Sequence, residues 1–372
     1  NLTEAAKQIG HEIKVVALAD FFLDKAQGTA KKCGCDEKMA FGGGAAYKKV
    51  MESGCEIVIL ATPPAFRPIH LAAAVKAGKH VFAEKPVAVD GLGIRQFLAA
   101  AAEAKAKKLA LVAGTQRRHQ GTYLRQAKAI KDGKIGSVIG GAVYWNGRVP
   151  WTRTRRPEDT NATYLANNWV NWTEMSGDHI VEQHVHNIDV ANWFIGRYPK
   201  TATGFGARTR RKTGNQYDFF SVDFDYDDGV HIHSMCRQIA GCSDRVGELF
   251  RTADAEISGG GKVTRTDGKE VQFDDVGKGG DPYVNEHVDL LEGILSGNVL
   301  NEGENVAMST ACAIIGRISA YTGRTVRMSD ILENKESEFY SMNCKPTAID
   351  FESDKDVELP AENSAPIPGA DK

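Results

Sequence analysis

Apolar and polar positions in the first third of the chain fall into two alternating textures. Ile13 to Ala19 (IKVVALA), Ile57 to Ala61 (IVILA), His80 to Ala83 and Ala110 to Ala113 are short and mostly apolar, as expected of strands buried on both faces. A further short strand is expected around Met39 to Phe41. Leu2 to Gly10 reads as the end of an amphipathic helix closed by Gly10. Leu23 to Lys32, Tyr47 to Ser53, Ile69 to Ala77 and Ala99 to Lys108 carry helical spacing. Strands alternating with helices of this length predict a Rossmann-type, doubly wound parallel sheet over residues 1–119. Ligands bind such a sheet at the carboxyl ends of its strands.

After residue 120 the pattern changes. A helix over Tyr123 to Lys131 precedes strands at Ile135 to Trp145, Ala202 to Ala207, Phe219 to Tyr226 and Val230 to Met235. Asp227-Asp228-Gly229 suits a hairpin turn between the last two. The expectation for residues 120–335 is an α+β domain on a large, mostly antiparallel sheet, with a long helix over Glu304 to Tyr321. Residues 336–372 are polar and Pro-rich and read as an extended tail on the surface or on a neighbouring subunit.

A Rossmann-type domain opens with a strand and a Gly-rich turn that cradles a pyrophosphate on a helix N-terminus. This chain starts inside what should be that first helix. The glycines at 42–44 follow the second helix and lack the G-x-G-x-x-G spacing. The expectation is that the natural N-terminus, with the first strand and any targeting signal, is missing from this chain. A cytoplasmic location is expected, with export left open for that reason.

Composition narrows the classes. Net charge is −2, with 25% charged and 42% hydrophobic residues, as in ordinary globular proteins. The basic tracts at 153–156 and 208–212 are short and without interleaved stacking aromatics, so no nucleic-acid partner is expected. No apolar run approaches the length needed to span a bilayer, so no membrane partner is expected. Seven scattered cysteines fit reduced core residues better than a disulfide framework.

The stretch from Ser176 to Asp189 (SGDHIVEQHVHNID) carries the densest chemistry. As one continuous helix it would align Glu182, His186 and Asp189 at i, i+4 and i+7 on one face. A carboxylate one turn from an imidazole can orient the ring and raise its pKa, which serves a general base. A buried helix with satisfied polar groups gives the same pattern. His179, His184 and His186 crowd together, but no metal-ligand spacing supports them, and no metal is expected.

Two strand ends extend the picture. Asp20 closes the first apolar run and can accept hydrogen bonds from adenosine ribose hydroxyls. It would repel a 2′-phosphate, which favours NAD over NADP. Lys85, in Glu84-Lys85-Pro86, can reach a substrate hydroxyl beside a nicotinamide and stabilise an alkoxide. Gln116 and Arg117, near His119 at another strand end, are candidates for contact with cofactor or substrate. Residues 150–172 (PWTRTRRPEDTNATYLANNWVNW) mix rings with hydrogen-bonding groups, which suits a sugar or polyol, as does a loop packed by its own tryptophans.

On ATPPAFRPIHLAAAVKAGKHVFAEKP (61–86) and the Glu182–His186–Asp189 pattern about a hundred residues later, the chain resembles the Gfo/Idh/MocA family of glucose–fructose oxidoreductase and inositol dehydrogenase-like proteins. The resemblance runs in order over roughly residues 1–330. It implies an NAD(P)-dependent oxidoreductase with Lys85 and His186 as catalytic residues and Glu182 where the family has Asp. The Gly-rich segment before that motif is reduced here to Ser176-Gly177. The resemblance places the cofactor along Asp20, Thr62, Pro63, Pro64, His70, Glu84, Lys85 and Gln116. It places substrate near Arg117, His119, Trp172, Asp189 and Tyr283, and implies a homo-oligomer (dimer or tetramer) through the C-terminal sheet. The expected activity is NAD-dependent hydride transfer at a secondary hydroxyl of a sugar, glycoside or cyclitol. A redox-neutral glycosidase or lyase using bound NAD and a non-catalytic NAD/sugar sensor are the alternatives.

Overall fold

A computed structural model describes residues 1–369. The short helix α1 (Leu2–Gln8) leads through an irregular stretch to β1 (Leu18–Asp20), α2 (Leu23–Cys33), β2 (Ala40–Gly42) and α3 (Ala46–Met51). Then come β3 (Ile57–Leu60), α4 (Arg67–Lys76), β4 (His80–Ala83), α5 (Gly91–Ala106) and β5 (Leu111–Ala113). Helix α5 begins eight residues earlier than its spacing suggested. The Asp90 carboxylate caps it by accepting from the Gly93 amide at 2.8 Å.

All of these strand pairs are parallel, but they form two groups. β1 pairs with β2, and β3, β4 and β5 form a ladder of their own. Among the described residues no ladder joins β1 to β3, and Ile59 on β3 is half exposed. This explains why, of the expected strand 13–19, only Leu18 and Ala19 belong to β1. Backbone without a neighbouring strand has no ladder to enter.

The second half is built on one eight-stranded sheet. Helix α6 (Gly121–Lys131) precedes β6 (Val138–Gly147). After α7 (Asn161–Asn167), α8 (Thr173–Ser176), α9 (His179–Glu182) and α10 (Val185–Ile195) come β7 (Thr201–Ala207), β8 (Phe219–Asp225) and β9 (His231–Gln238). The chain continues through β10 (Arg245–Thr252), β11 (Ala255–Ser258), β12 (Val263–Arg265), α11 (Pro282–Ser296), α12 (Gly303–Thr322) and β13 (Val326–Arg327). The strand order is β12-β11-β10-β6-β9-β8-β7-β13, and only β6–β9 is parallel. β9 alternates outward His231, His233 and Met235 with inward Ile232, Ser234 and Cys236. The inward face packs with Phe220, Val222 and Phe224 against Ile180, Ile188 and Ile314, carried on α9, α10 and α12. Phe205, Ser221, Met235 and Tyr144 sit at paired positions across the other, open face.

The expected extended tail is a packed strap. Phe351 and Val357 are buried in a second core with Phe66, Tyr164, Leu165, Trp172 and Met175. Glu352 accepts a 2.8 Å hydrogen bond from Tyr47, and Asp356 accepts from the first amides of α7 at 2.8 and 2.9 Å. The Tyr217 hydroxyl bonds the Pro366 carbonyl. With Phe339 and Ala348, four buried apolar side chains make detachment costly. The last three residues of the expected tail, 370–372, lie outside the described residues.

At Gly44 an added Cβ would stand 2.0 Å from the Phe351 carbonyl oxygen. Gly44→Ala should therefore displace the strap, at a cost of about 1–3 kcal/mol. Denaturant unfolding should show the loss, and limited proteolysis should cut faster between residues 344 and 366. Wild-type protection of that segment would contradict this packing.

Candidate active site

The end of β4 delivers Glu84, Lys85 and Pro86 to the crevice, with the Lys85–Pro86 bond in cis. Lys85 Nζ donates to the Glu182 carbonyl oxygen at 2.5 Å and lies 3.3 Å from Glu182 Oε1. Both side chains are mostly buried, at 13% and 14% exposure, so the ammonium and carboxylate depend on each other. Beneath the turn, the buried Arg67 guanidinium donates to the Pro86 carbonyl. Burial lowers its pKa to about 10, against the opposing pull of Glu84 and Glu182. Arg67 was missed in the sequence. Its signal was a lone arginine in the apolar run that follows Thr62-Pro63-Pro64.

The motif stretch is broken where one helix was expected. Gly177 and Asp178 both have positive φ, +81° and +78°, and separate α8 from α9. A side chain at Gly177 would press on Val181, and the buried Asp178 carboxylate accepts from the His179 amide at 2.6 Å and from the Tyr321 hydroxyl. A second break at Gln183–His184 puts Glu182 at the end of α9 and His186 in the first turn of α10. The expected carboxylate–imidazole pairing is therefore replaced: Glu182 holds Lys85 instead. Among the described residues no hydrogen bond joins Glu182 to His186.

His186 stacks on Trp145, with centroids 5.7 Å apart and planes 20° off parallel. Burial, then the nearby charges of Lys85 and Arg117, hold its pKa well below the ordinary value. The expectation of a raised pKa is thus reversed, and the ring is neutral near pH 7, the form that accepts a proton. His184 bonds Ser234 at 2.8 Å and His179 faces Asp178 at 3.2 Å, so the three histidines turn to different partners.

The 3₁₀ turn Gln116–His119 after β5 carries three of the candidates, Gln116, Arg117 and His119. Gln116 Nε2 donates to the Tyr283 hydroxyl at 3.2 Å, which joins two sequence candidates at the crevice. Arg117 pairs with the buried Glu248 at 2.8 Å. Two other candidates are committed to structural partners. Asp189 accepts from Nε and Nη2 of Arg118, at 2.8 and 2.9 Å, and from the Ser309 hydroxyl at 2.8 Å, leaving little capacity for a substrate hydroxyl. His119 is buried between Asp289 at 2.5 Å and Glu302 at 3.3 Å. Trp172 is fully buried in the second core and offers no open face.

The residues at the parallel strand ends suit the two ends of a dinucleotide. Asp20 sits at the tip of β1, with Oδ1 receiving the Phe22 amide at 2.9 Å. Thr62 meets His70 at 3.2 Å, and the His70 ring packs against Tyr47 and Phe66. Pro63 and Pro64 turn the chain into α4. Glu84 lies so close to Gly114 that a Cβ there would meet Oε2 at 2.4 Å. Buried polar atoms without a protein partner remain here, among them Gln116 Oε1 and His70 Nε2. Such atoms await a ligand or water. Asp20 would hold the ribose, and Glu84, Lys85 and Gln116 the nicotinamide end. The glycines at 42–44 lead into α3 but lack the G-x-G-x-x-G spacing, so no turn of that fingerprint stands among the described residues to hold the pyrophosphate.

Residues 1–112 match the family model described as "Oxidoreductase family, NAD-binding Rossmann fold", and residues 123–257 match the "GFO/IDH/MocA C-terminal domain". The chain belongs to the GFO/IDH/MocA family of oxidoreductases with an NAD-binding Rossmann fold. It is 24% identical over 277 residues to an inositol 2-dehydrogenase of Rhizobium meliloti, covering 68% of this chain and 74% of that protein. It is 23% identical over 204 residues to the scyllo-inositol 2-dehydrogenase (NAD(+)) of Bacillus subtilis, covering 55% and 53%. The chain thus spans about half the length of that second relative. A crystal structure of an aldose-aldose oxidoreductase from Caulobacter crescentus superposes with a TM-score of 0.67 at 16% identity, covering 88% of this chain and 95% of that one. Among the described residues no helix is long and apolar enough to cross a membrane.

The charges around this crevice give stability a definite pH dependence. Burial opposes a charge on His119, yet its bonds to Asp289 and Glu302 raise its pKa to about 9. That stability is complete below the unfolded value near ~6.5 and is lost as pH rises through about 9. Burial first, and then Glu84, push the buried Glu286 carboxyl up to about 9, so it too costs stability as pH rises toward that value. The denaturant midpoint should fall as pH rises from about 6.5 to about 9.5, and His119→Gln should flatten that slope. A midpoint that rises over this range would contradict the assignment.

Proposed function

We propose that Lys85, His186 and Glu182 carry out proton and charge handling at a secondary hydroxyl of a sugar, glycoside or cyclitol. The observation that carries this reading is the pairing of Lys85 with Glu182 beside a neutral, stacked His186 that has ring capacity to spare. His186 takes the hydroxyl proton. Lys85 stabilises the oxyanion that forms, and Glu182 holds the ammonium in place through both its carbonyl and its carboxylate. The nicotinamide, when bound, supplies the hydride acceptor. Asp20 favours NAD because a 2′-phosphate would be repelled there. Arg117 and Tyr283 flank the substrate, with Tyr283 half exposed and tethered to Gln116. Names among the relatives that specify inositol dehydrogenases support a cyclitol or sugar as the substrate class.

A homo-oligomer, dimer or tetramer, through the open sheet face belongs to this proposal. Phe205 is 65% exposed there, and Met235 and Tyr144 continue the same row. Light scattering of the wild type beside a Phe205→Glu variant tests it.

Incubation with a panel of sugars and cyclitols, following NADH absorbance and product mass together, tests the activity. NADH should accumulate with a product two hydrogens lighter. A change in product mass without net NADH would oppose net oxidation.

Variants test the residues. His186→Asn and Lys85→Met should stay folded and keep NAD affinity, while single-turnover hydride transfer falls by about 10²–10⁴-fold. Glu182→Gln should be milder, about tenfold, since the carbonyl contact to Lys85 remains. Near-normal transfer in folded His186→Asn would overturn the assignment.

A further inference from the structure

Two basic runs left without a role in the sequence, RVPWTRTRR at 148–156 and RTRRK at 208–212, contain eight cations and no acid. The fold brings them to one end of the large sheet, where β6 and β9 terminate and β8 begins. The Asn171 side chain joins them, donating to the Trp151 carbonyl at 3.0 Å and accepting from Arg211 at 3.1 Å. Asn168 receives the Arg153 amide at 2.9 Å. Trp151 packs edge-on against Trp169 at 6.1 Å, with the Arg153 guanidinium 5.7 Å from its ring.

This end of the sheet is also the end that holds the reaction site. Arg211 donates to Gln238, which donates to Gln183 at 2.8 Å, and Gln183 stands between Glu182 and His186. Trp145, on which His186 stacks, lies two residues before the end of β6.

The positive charge here is poorly compensated. Arg156 is matched by Asp159 and Glu158, and Arg148 reaches Asp244 only at 4.0 Å. Among the described residues, Arg153, Arg210 and Arg211 have no carboxylate within 4.0 Å. The largely buried Arg211 gives its hydrogen bonds to the neutral oxygens of Asn171, Gln238 and Tyr217. The nearby Asp218 carboxylate is occupied by the backbone amides of residues 209–211. Guanidinium groups bound only by neutral acceptors retain most of their attraction for an anion.

We propose that the substrate of the Lys85–His186 site is an acidic sugar, whose carboxylate or sulfate is received by Arg153, Arg210 and Arg211 while its ring packs against Trp151. This rests on the reading of that site given above, and it adds a charged group to the substrate class. Planar, forked guanidinium groups suit both carboxylate and sulfate.

Equilibrium binding separates the two proposals because it needs no turnover. Glucose, glucuronate, galacturonate and glucose 6-sulfate are titrated calorimetrically into the NAD-loaded protein, and again into an Arg153→Gln/Arg210→Gln double variant. Both of the substituted positions are exposed. At low salt at least one anionic sugar should bind about tenfold or more tightly than glucose. That ratio should shrink toward one at about 0.3 M salt and in the double variant. Preference for the uronates alone identifies a carboxylate site, and preference for the sulfate alone a sulfate site. Equal or tighter binding of glucose, no measurable binding of any anionic sugar, or a preference untouched by the double variant overturns the proposal. Acid preference without oxidation would sink the activity and keep this site, whereas oxidation without acid preference would do the reverse.

Discussion

Everything in the site depends on one charged contact across a domain boundary. Lys85 leaves the end of a parallel strand, and Glu182 ends a short helix lying on the antiparallel sheet. Neither can be solvated well where it stands, so each charge is tolerated because the other is there. Their meeting point fixes where an oxyanion could be stabilised, and the cation at that point helps keep the neighbouring His186 neutral. Arg67 under the Lys85–Pro86 turn and the Arg118–Asp189–Ser309 cluster under the His186 helix hold the two sides in place. The polar groups that looked most like ligands are partly the fixtures of this alignment.

The sequence was most legible where structure is local. Buried strands such as Ile57–Leu60 and His80–Ala83 stand out as apolar runs, and their helices as periodic stretches between glycines. Residues 245–252 (RVGELFRT) were missed as a strand because the buried positions hold Glu248 and Thr252 beside Phe250 while the apolar Val246 is exposed, so no apolar alternation shows. The motif residues were legible as a set, since two linked patterns at a fixed separation are hard to produce by chance. Their geometry was not, because a continuous helix was assumed across Gly177 and Asp178, whose positive φ values break it.

The remaining errors share a cause. Asp189 and His119 resemble free ligands until partners arrive from 71 and 170 residues away. Trp172 resembles a sugar platform until the strap and α7 close over it. Spacing along a chain reports neighbours within a turn or two, and burial by distant segments leaves no trace in it. The strap itself carries few apolar residues, so its polar composition concealed that its aromatic side chains are buried.

That strap also sets an order of events in biosynthesis. Tyr47 and Glu352, which bond across it, are 305 residues apart. As the chain emerges from the ribosome, the first helices and strands can form long before residue 352 has been made. Until then Phe66 and the second core lack Phe351 and Val357, their covering side chains. The nascent protein therefore passes through an interval with an uncovered apolar seam between its two halves, the kind of surface that chaperones bind. The clasp that joins those halves is among the last contacts to form.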